Sequence, residues 1–261
     1  MNRINKLFFI FGKRFIEIMD ISGFTIILFV KAAYYCKNFF GKRREIIKQM
    51  YIAGVKSLAV CSLVAVIIGL ILTLQTGIEL KRFQQQNLVG NLMITTMTRE
   101  LGPLMTGLII TAAVGSAIAA EIGTMKVSEE IDALEMMSIS PIKFLVMPRL
   151  VALAVMLPIS TIYFITVGTA GGSLVAYFQL GVPFDTYYSH VLESLRFKAT
   201  YVGILKAVIF GLIIASVSCA QGLKATNGAL GVGKATRSTV IICFLMVLIT
   251  GYIITSFFYG K

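Results

Sequence analysis

Residues 99–149 read RELGPLMTGLIITAAVGSAIAAEIGTMKVSEEIDALEMMSISPIKFLVMPR, and this stretch decides the fold. It opens on adjacent opposite charges, Arg99 and Glu100, followed by Gly102-Pro103. From Leu101 to Ala120 it then runs 20 residues without a charge, rich in Gly, Ala, Ser and Thr. A helix of about 20 apolar residues suffices to cross a hydrocarbon core. An acidic amphipathic segment, Ser128–Ile139, follows at once and is closed by Ser140-Pro141. A small-residue span feeding directly into a charged helix has the layout of a transmission element. One end touches something in the membrane, and the other can be pushed from the cytosol.

Composition extends this reading to the whole chain. The 261 residues are 57% hydrophobic and 14% charged, with a mean hydropathy of +0.86, whereas soluble domains carry roughly a quarter charged residues. Several uncharged runs are long enough to span, which gives an all-α polytopic membrane protein. The alternating ten-residue segments of a membrane β-barrel are absent. The net charge of +12 does not indicate nucleic acid. Eleven of the 24 Lys and Arg residues fall in the first 56 positions and the rest, apart from the pair Lys81-Arg82, sit singly between apolar runs, the pattern of topology and anionic head groups. Cys36, Cys61, Cys219 and Cys243 are far apart, and no Cys/His cluster suggests a metal or cofactor. The basic N-terminus lacks a short apolar core with a cleavage site, so no cleavable signal peptide is expected.

Residues 1–50 alternate short apolar pieces with Lys and Arg, which predicts a helix in the head-group plane. Residues 51–261 form a five-span domain, with spans at about Tyr51–Leu74, Leu101–Ala120, Leu150–Phe178, Thr200–Ala220 and Ser238–Tyr259. Pro158 marks a kink in the third, and Gly168, Gly171 and Gly172 are packing positions. With the N-terminus inside, cytoplasmic segments hold 17 basic residues and the opposite side 7. The positive-inside rule therefore puts the N-terminus and the acidic segment in the cytoplasm and the C-terminus outside.

Four features carry candidate chemistry. Arg99 and Glu100, expected at the outer boundary of the second span, are either interface anchors or polar groups of a cavity for an amphipathic substrate. Lys206, just inside the fourth span, has the same two readings, tilted towards an anchor that snorkels. In Ser128–Ile139, Ser128 is the expected N-cap, with Glu129 and Glu130 in the first turn where the helix dipole favours them. Ile131 and Leu134 share a face flanked by Asp132 and Glu135, which suits docking into a basic groove on a partner. Gly228–Lys234 satisfies GxxxxGK, but Ala235 stands where Ser or Thr would hold magnesium and no β-strand precedes it. A flexible or tightly turned loop is expected there, and no ATP hydrolysis by this chain itself.

The motif RELGP, the run GSAIAAEIGTM, the segment EEIDALEMMSISP and LVMPR together resemble the MlaE (YrbE) family of ABC-transporter permeases. Gly228–Thr236 resembles that family's second motif. Glu130 stands where the family commonly has Gln, and Ser138 replaces the usual Gly after the Met pair. The resemblance covers residues 45–261. It implies a homodimeric permease of a bacterial inner membrane with a periplasmic C-terminus. The implied partners are a cytoplasmic ABC ATPase dimer, MCE-domain subunits and a STAS-domain protein, and the implied cargo is phospholipid. Glu129, Glu130, Ile131, Asp132, Leu134 and Glu135 would couple to the ATPase, and Arg99, Glu100 and Lys206 would line the lipid cavity. A secondary transporter, a channel or a membrane scaffold are the competing classes. A secondary transporter would need an ionisable residue at mid-depth, and this reading places no acid there.

Overall fold

The computed structural model describes the backbone of residues 3–35, 37 and 41–260 and the side chains of 19–35, 37 and 41–260; Cys36 and Lys261 lie outside the described residues. Every regular element among them is helical. The chain begins with α1 (Arg3–Tyr35), α2 (Arg43–Ala53) and α3 (Leu58–Arg82). A long second span follows as α4 (Val89–Thr96), α5 (Gly102–Ile110) and α6 (Ser116–Val127), then the short α7 (Glu130–Met136). The rest is α8 (Met147–Phe178), α9 (Phe184–Ser194), α10 (Phe197–Leu223) and α11 (Gly228–Tyr259).

Five helical stretches are long and apolar enough to cross a membrane: Arg43–Arg82, Gln86–Val127, Ile142–Phe178, Phe197–Leu223 and Gly228–Tyr259. Their number and order agree with the sequence pattern. Their lengths do not. The second span starts at Gln86, well before the expected Leu101, and the last starts at Gly228, not Ser238. The wider turns of the second and third spans are π-helical, at Met97–Leu101, Thr111–Gly115 and Ile142–Val146.

Without a hydrophobic force between helices in lipid, close packing of small residues has to hold the bundle. The contact of α3 with α8 shows this. A Cβ on Gly69 would stand 2.1 Å from the Gly168 carbonyl oxygen, so the two backbones touch there only because residue 69 is glycine. One core lies towards the α7 end, built from Leu28, Ile118, Ile122, Val146, Leu150 and Ile214. A second lies towards the α9 end, built from Val89, Met93, Met97, Phe164 and Tyr187. Between the third and fourth spans, α9 buries Tyr187 completely, and its hydroxyl donates to the Thr169 carbonyl at 3.2 Å.

α1 lays Leu28 and Ala32 against the bundle and turns Ile26, Ile27 and Val30 outwards. A helix with one apolar side on protein and another facing away is suited to contact lipid along its length.

Candidate functional site

Arg99 and Glu100 do not sit at a helix end. They lie in the π turn Met97–Leu101, where the Gly102 amide donates to the Met97 carbonyl five residues back. Gln86 starts this helix, so at 1.5 Å per residue the pair is about 20 Å along it. The pair therefore lies within a continuous helix and not at its first turn. Pro103 sharpens the local chemistry. It has no N–H, so it cannot donate to the carbonyl of Arg99 four residues earlier.

Lys206 fills that vacancy. Its ammonium donates to the Arg99 carbonyl at 2.8 Å, to Glu100 Oε1 at 2.8 Å and to Thr255 Oγ1 at 2.6 Å. All three of its protons are thereby used. The side chain is 1% exposed, so it points into the bundle and does not snorkel. Thr255 in turn donates to Glu100 Oε1 at 2.6 Å, which ties the end of α11 into the same cluster. The close approach of α10 depends on Gly203, one turn before Lys206, where a Cβ would stand 2.3 Å from the Thr98 carbonyl oxygen.

The cluster is closed on one side and open on the other. Glu100 remains 43% exposed although Lys206 is buried. The Arg99 guanidinium lies over the Tyr259 ring at 4.5 Å, and its Nε is buried without a hydrogen-bond partner among the described residues. Arg99 also lines a polar cavity of about 380 Å³ with Asn91, Thr95, Glu193 and Arg196. The arrangement offers the partly exposed Arg99 guanidinium and a half-exposed carboxylate inside otherwise apolar spans, with buried Lys206 holding the carboxylate in place. It can hold a polar or charged head group while the surrounding side chains accept an apolar tail. Thr255 and Tyr259 carried no signal in the local sequence, since each is one polar group near the end of an apolar run.

A second ion pair, which the sequence analysis does not name, is made by Arg149, the last residue of the LVMPR motif. Its Nη2 is 2.9 Å from Glu121 Oε2, and its Nη1 donates to the Leu145 carbonyl at 2.9 Å. Arg149 is 3% exposed and Glu121 half-exposed. Opposite charges just after one span and just inside the next were the available signal.

The acidic segment differs in detail from its expected form. Ser128 is not an N-cap. Its hydroxyl donates back to the Thr124 carbonyl at 3.0 Å, which closes α6. Glu129 takes the left-handed conformation (φ 61°), so α7 begins at Glu130. Ser138, the position where the resembled family prefers glycine, is also left-handed (φ 58°); glycine adopts this conformation without steric cost. Ile131 is 3% exposed and belongs to the chain's own core, with Leu134 packed partly against it. The apolar face expected to meet a partner is thus turned inwards. The outward face carries Glu130, Asp132, Glu135, Met136 and Met137, with Met136 88% exposed. Asp132 is held by Lys126 at 2.6 Å.

The family model described as Permease MlaE matches residues 46–257. A probable ABC transporter permease protein of Rickettsia prowazekii is 37% identical over 214 residues, covering 82% of this chain and 83% of the relative. One from Synechocystis is 35% identical over 213 residues, covering 82% and 81%. The chloroplastic protein TRIGALACTOSYLDIACYLGLYCEROL 1 of Arabidopsis thaliana is 33% identical over 216 residues, covering 83% of this chain and 62% of the relative.

Proposed function

The chain belongs to the MlaE permease family, and from that premise we propose that it is the membrane subunit of an ATP-driven transporter moving phospholipids between membranes. The observation that carries this reading is the Lys206–Glu100–Thr255 cluster, buried on one side and open on the other, with Arg99 beside it. A charged group inside an apolar span is costly and is kept where it faces a cavity or partner. Head-group recognition is the use that fits the Arg99 guanidinium and the open side of Glu100 among apolar surfaces. The Arabidopsis relative bears the name of a diacylglycerol glycolipid, which supports a glycerolipid cargo.

In this reading two copies of the chain face each other across α11, whose Tyr252, Ile253 and Phe257 are exposed large apolar groups. The open side of Glu100 and Arg99 then lines a cavity between them. The α7 face is cytoplasmic and the α9 face periplasmic, in accord with the distribution of basic residues. A separate ABC ATPase dimer grips α7, and Met136 and Met137 are adaptable apolar contacts for it. MCE-domain subunits receive lipid at the α9 face, and a STAS-domain protein completes the cytoplasmic assembly. The chain resides in the inner membrane and holds no nucleotide site of its own. The segment 1–50 lies along the head groups, and residues 51–261 form the permease unit.

The deciding experiment is reconstitution with the cognate ATPase and MCE subunits. ATP-dependent extraction of a fluorescent phospholipid from proteoliposomes is expected, and Glu100→Ala should abolish it while the complex still assembles. Lipid movement that needs an ion gradient and ignores ATP would instead establish a secondary transporter.

A further inference from the structure

The acidic segment hangs from two stems. α6 runs into it at Val127, and the wide turn Ile142–Val146 leads out of it into α8. Glu129 and Ser138, both left-handed, bracket α7, so the chain goes out and comes back as a hairpin. The stems do not lie on one another. α6 rests mainly on α10 and α11, whereas α8 rests mainly on α3 and α10. Among the described residues they share a neighbour but no broad common face, so a push on α7 could divide between them.

One side chain joins the stems directly. Arg149, in the first turn of α8, is buried, and the bonds it makes among the described residues run through its two Nη groups. Nη1 donates to the Leu145 carbonyl inside the wide turn, and Nη2 pairs with Glu121 of α6, each at 2.9 Å. Parting a buried guanidinium from its carboxylate leaves an uncompensated charge, which is strongly unfavourable. The planar fork also holds its two partners in a fixed relation.

A related arrangement stands at the other end of the bundle. There the wide turn Met97–Leu101 offers the Arg99 carbonyl to buried Lys206, which is paired with half-exposed Glu100. In both places an ion pair with a buried cation ties a wide turn to a different helix. Such turns are the points at which a helix can most readily change its geometry, and both are clamped.

Resting on the reading of α7 as the face that the ATPase grips, we infer that Glu121 and Arg149 are positioning residues of lipid transport. Their bridge makes the two stems of α7 one lever, so that a displacement of α7 carries α6 and α8 together. α6 continues the span that holds Arg99 and Glu100, so the bridge keeps α8 in step with the proposed lipid cavity. With the bridge open, the turn Ile142–Val146 would take up the displacement and α8 would lag behind.

Lipid moved per ATP hydrolysed, in the complex reconstituted with the ATPase and MCE subunits, reads the bridge. Glu121→Leu should lower that ratio about fivefold, in the range of coupling between distant sites. Glu121→Gln keeps an oxygen for Arg149 and should lower it less. The double variant Glu121→Leu/Arg149→Met removes the buried charge together with its partner. It should therefore melt closer to the parent than Glu121→Leu does, yet its ratio should stay low. A bridge that only stabilises the fold predicts that ratio and melting temperature recover together, and that result would overturn the assignment. A parent-like ratio in Glu121→Leu would do the same.

Hydrogen–deuterium exchange of the full chain in mild detergent adds a readout that needs no partner. The amides of residues 142–147 should exchange roughly tenfold faster in Glu121→Leu than in the parent; identical exchange would mean that the bridge does not hold the turn. Met136→Asp separates the two readings. If its coupling is normal, the role of α7 fails and the lever fails with it. If it is uncoupled while Glu121→Leu is normal, only the bridge is overturned.

Discussion

Lys206 and Glu100, 106 residues apart in sequence, meet at 2.8 Å inside the bundle, and the lysine is almost wholly buried while the carboxylate is not. This asymmetry sets the energetics. Glu100→Gln leaves a buried ammonium without its counter-charge, whereas Lys206→Met removes the charge that needed one. The double variant Glu100→Gln/Lys206→Met should therefore be more stable than Glu100→Gln alone, with a coupling of about 1–3 kcal/mol. Thermal unfolding of the four proteins in one detergent measures it. All three variants should fail to move lipid, since a restored fold does not restore the charge pair.

The inward turn of α7 separates two substitutions that would otherwise look alike. Ile131→Asp puts a charge into the chain's own core and should destabilise it by several kcal/mol. Met136→Asp alters only the outward face and should leave the melting temperature within about 1 °C of the parent's, because isolated surface changes contribute little. It should nevertheless weaken co-purification of the ATPase or uncouple its activity from lipid. Normal coupling in Met136→Asp would remove α7 from the transmission path.

Glycines at two positions should respond in opposite directions. Gly69→Ala drives a methyl into the Gly168 carbonyl and should cost about 1–3 kcal/mol or more through forced separation of α3 and α8. Gly233→Ala meets open space in a helix interior and should stabilise by about 0.5–1 kcal/mol. Chemical unfolding of both variants, with the same detergent and lipid, gives the sign.

Tyr187 provides a pH test. Burial holds its phenol above the ordinary value of 10.0. The folded state therefore keeps the proton longer than the unfolded chain does. Its contribution is fully present below pH 10.0 and is lost as the pH rises towards the higher folded value. Tyr187→Phe should lose about 1 kcal/mol at neutral pH with the bond to Thr169. It should also show a shallower loss of stability above pH 10.0 than the parent. Identical slopes would mean that other groups govern the alkaline limit.

The number and order of spans were legible because uncharged length is a local property. Their ends were not. Arg99 and Glu100 look like a boundary when only their neighbours are read; what lets the helix run through them is Lys206 on α10, which no local window contains. The same limit hid Thr255 and the Arg149–Glu121 pair. Ser128 was misread for a different reason: the residue types that begin a helix also close one, and its hydroxyl turned back to Thr124. Arg99, Glu100 and Lys206 were nonetheless named from sequence, because ionisable groups next to or within long apolar runs stand out. Their mutual bonding was not visible there.

Each π turn carries one residue more than an α-helical turn needs, and this makes length itself a constrained quantity in the second span. Removing a single residue from Met97–Leu101 would let the helix close into regular α geometry, with better hydrogen bonds than it has now. Five residues in the wide turn sweep about the angle that four sweep in an α-helix, so the faces of α4 and α5 would keep nearly their present relative rotation. Such a cut would act on the charged cluster and leave the bundle intact: it would shift the Arg99 carbonyl or the Glu100 carboxylate against Lys206, whose bonds hold both, while α4 stayed on α9 and α5 on α10.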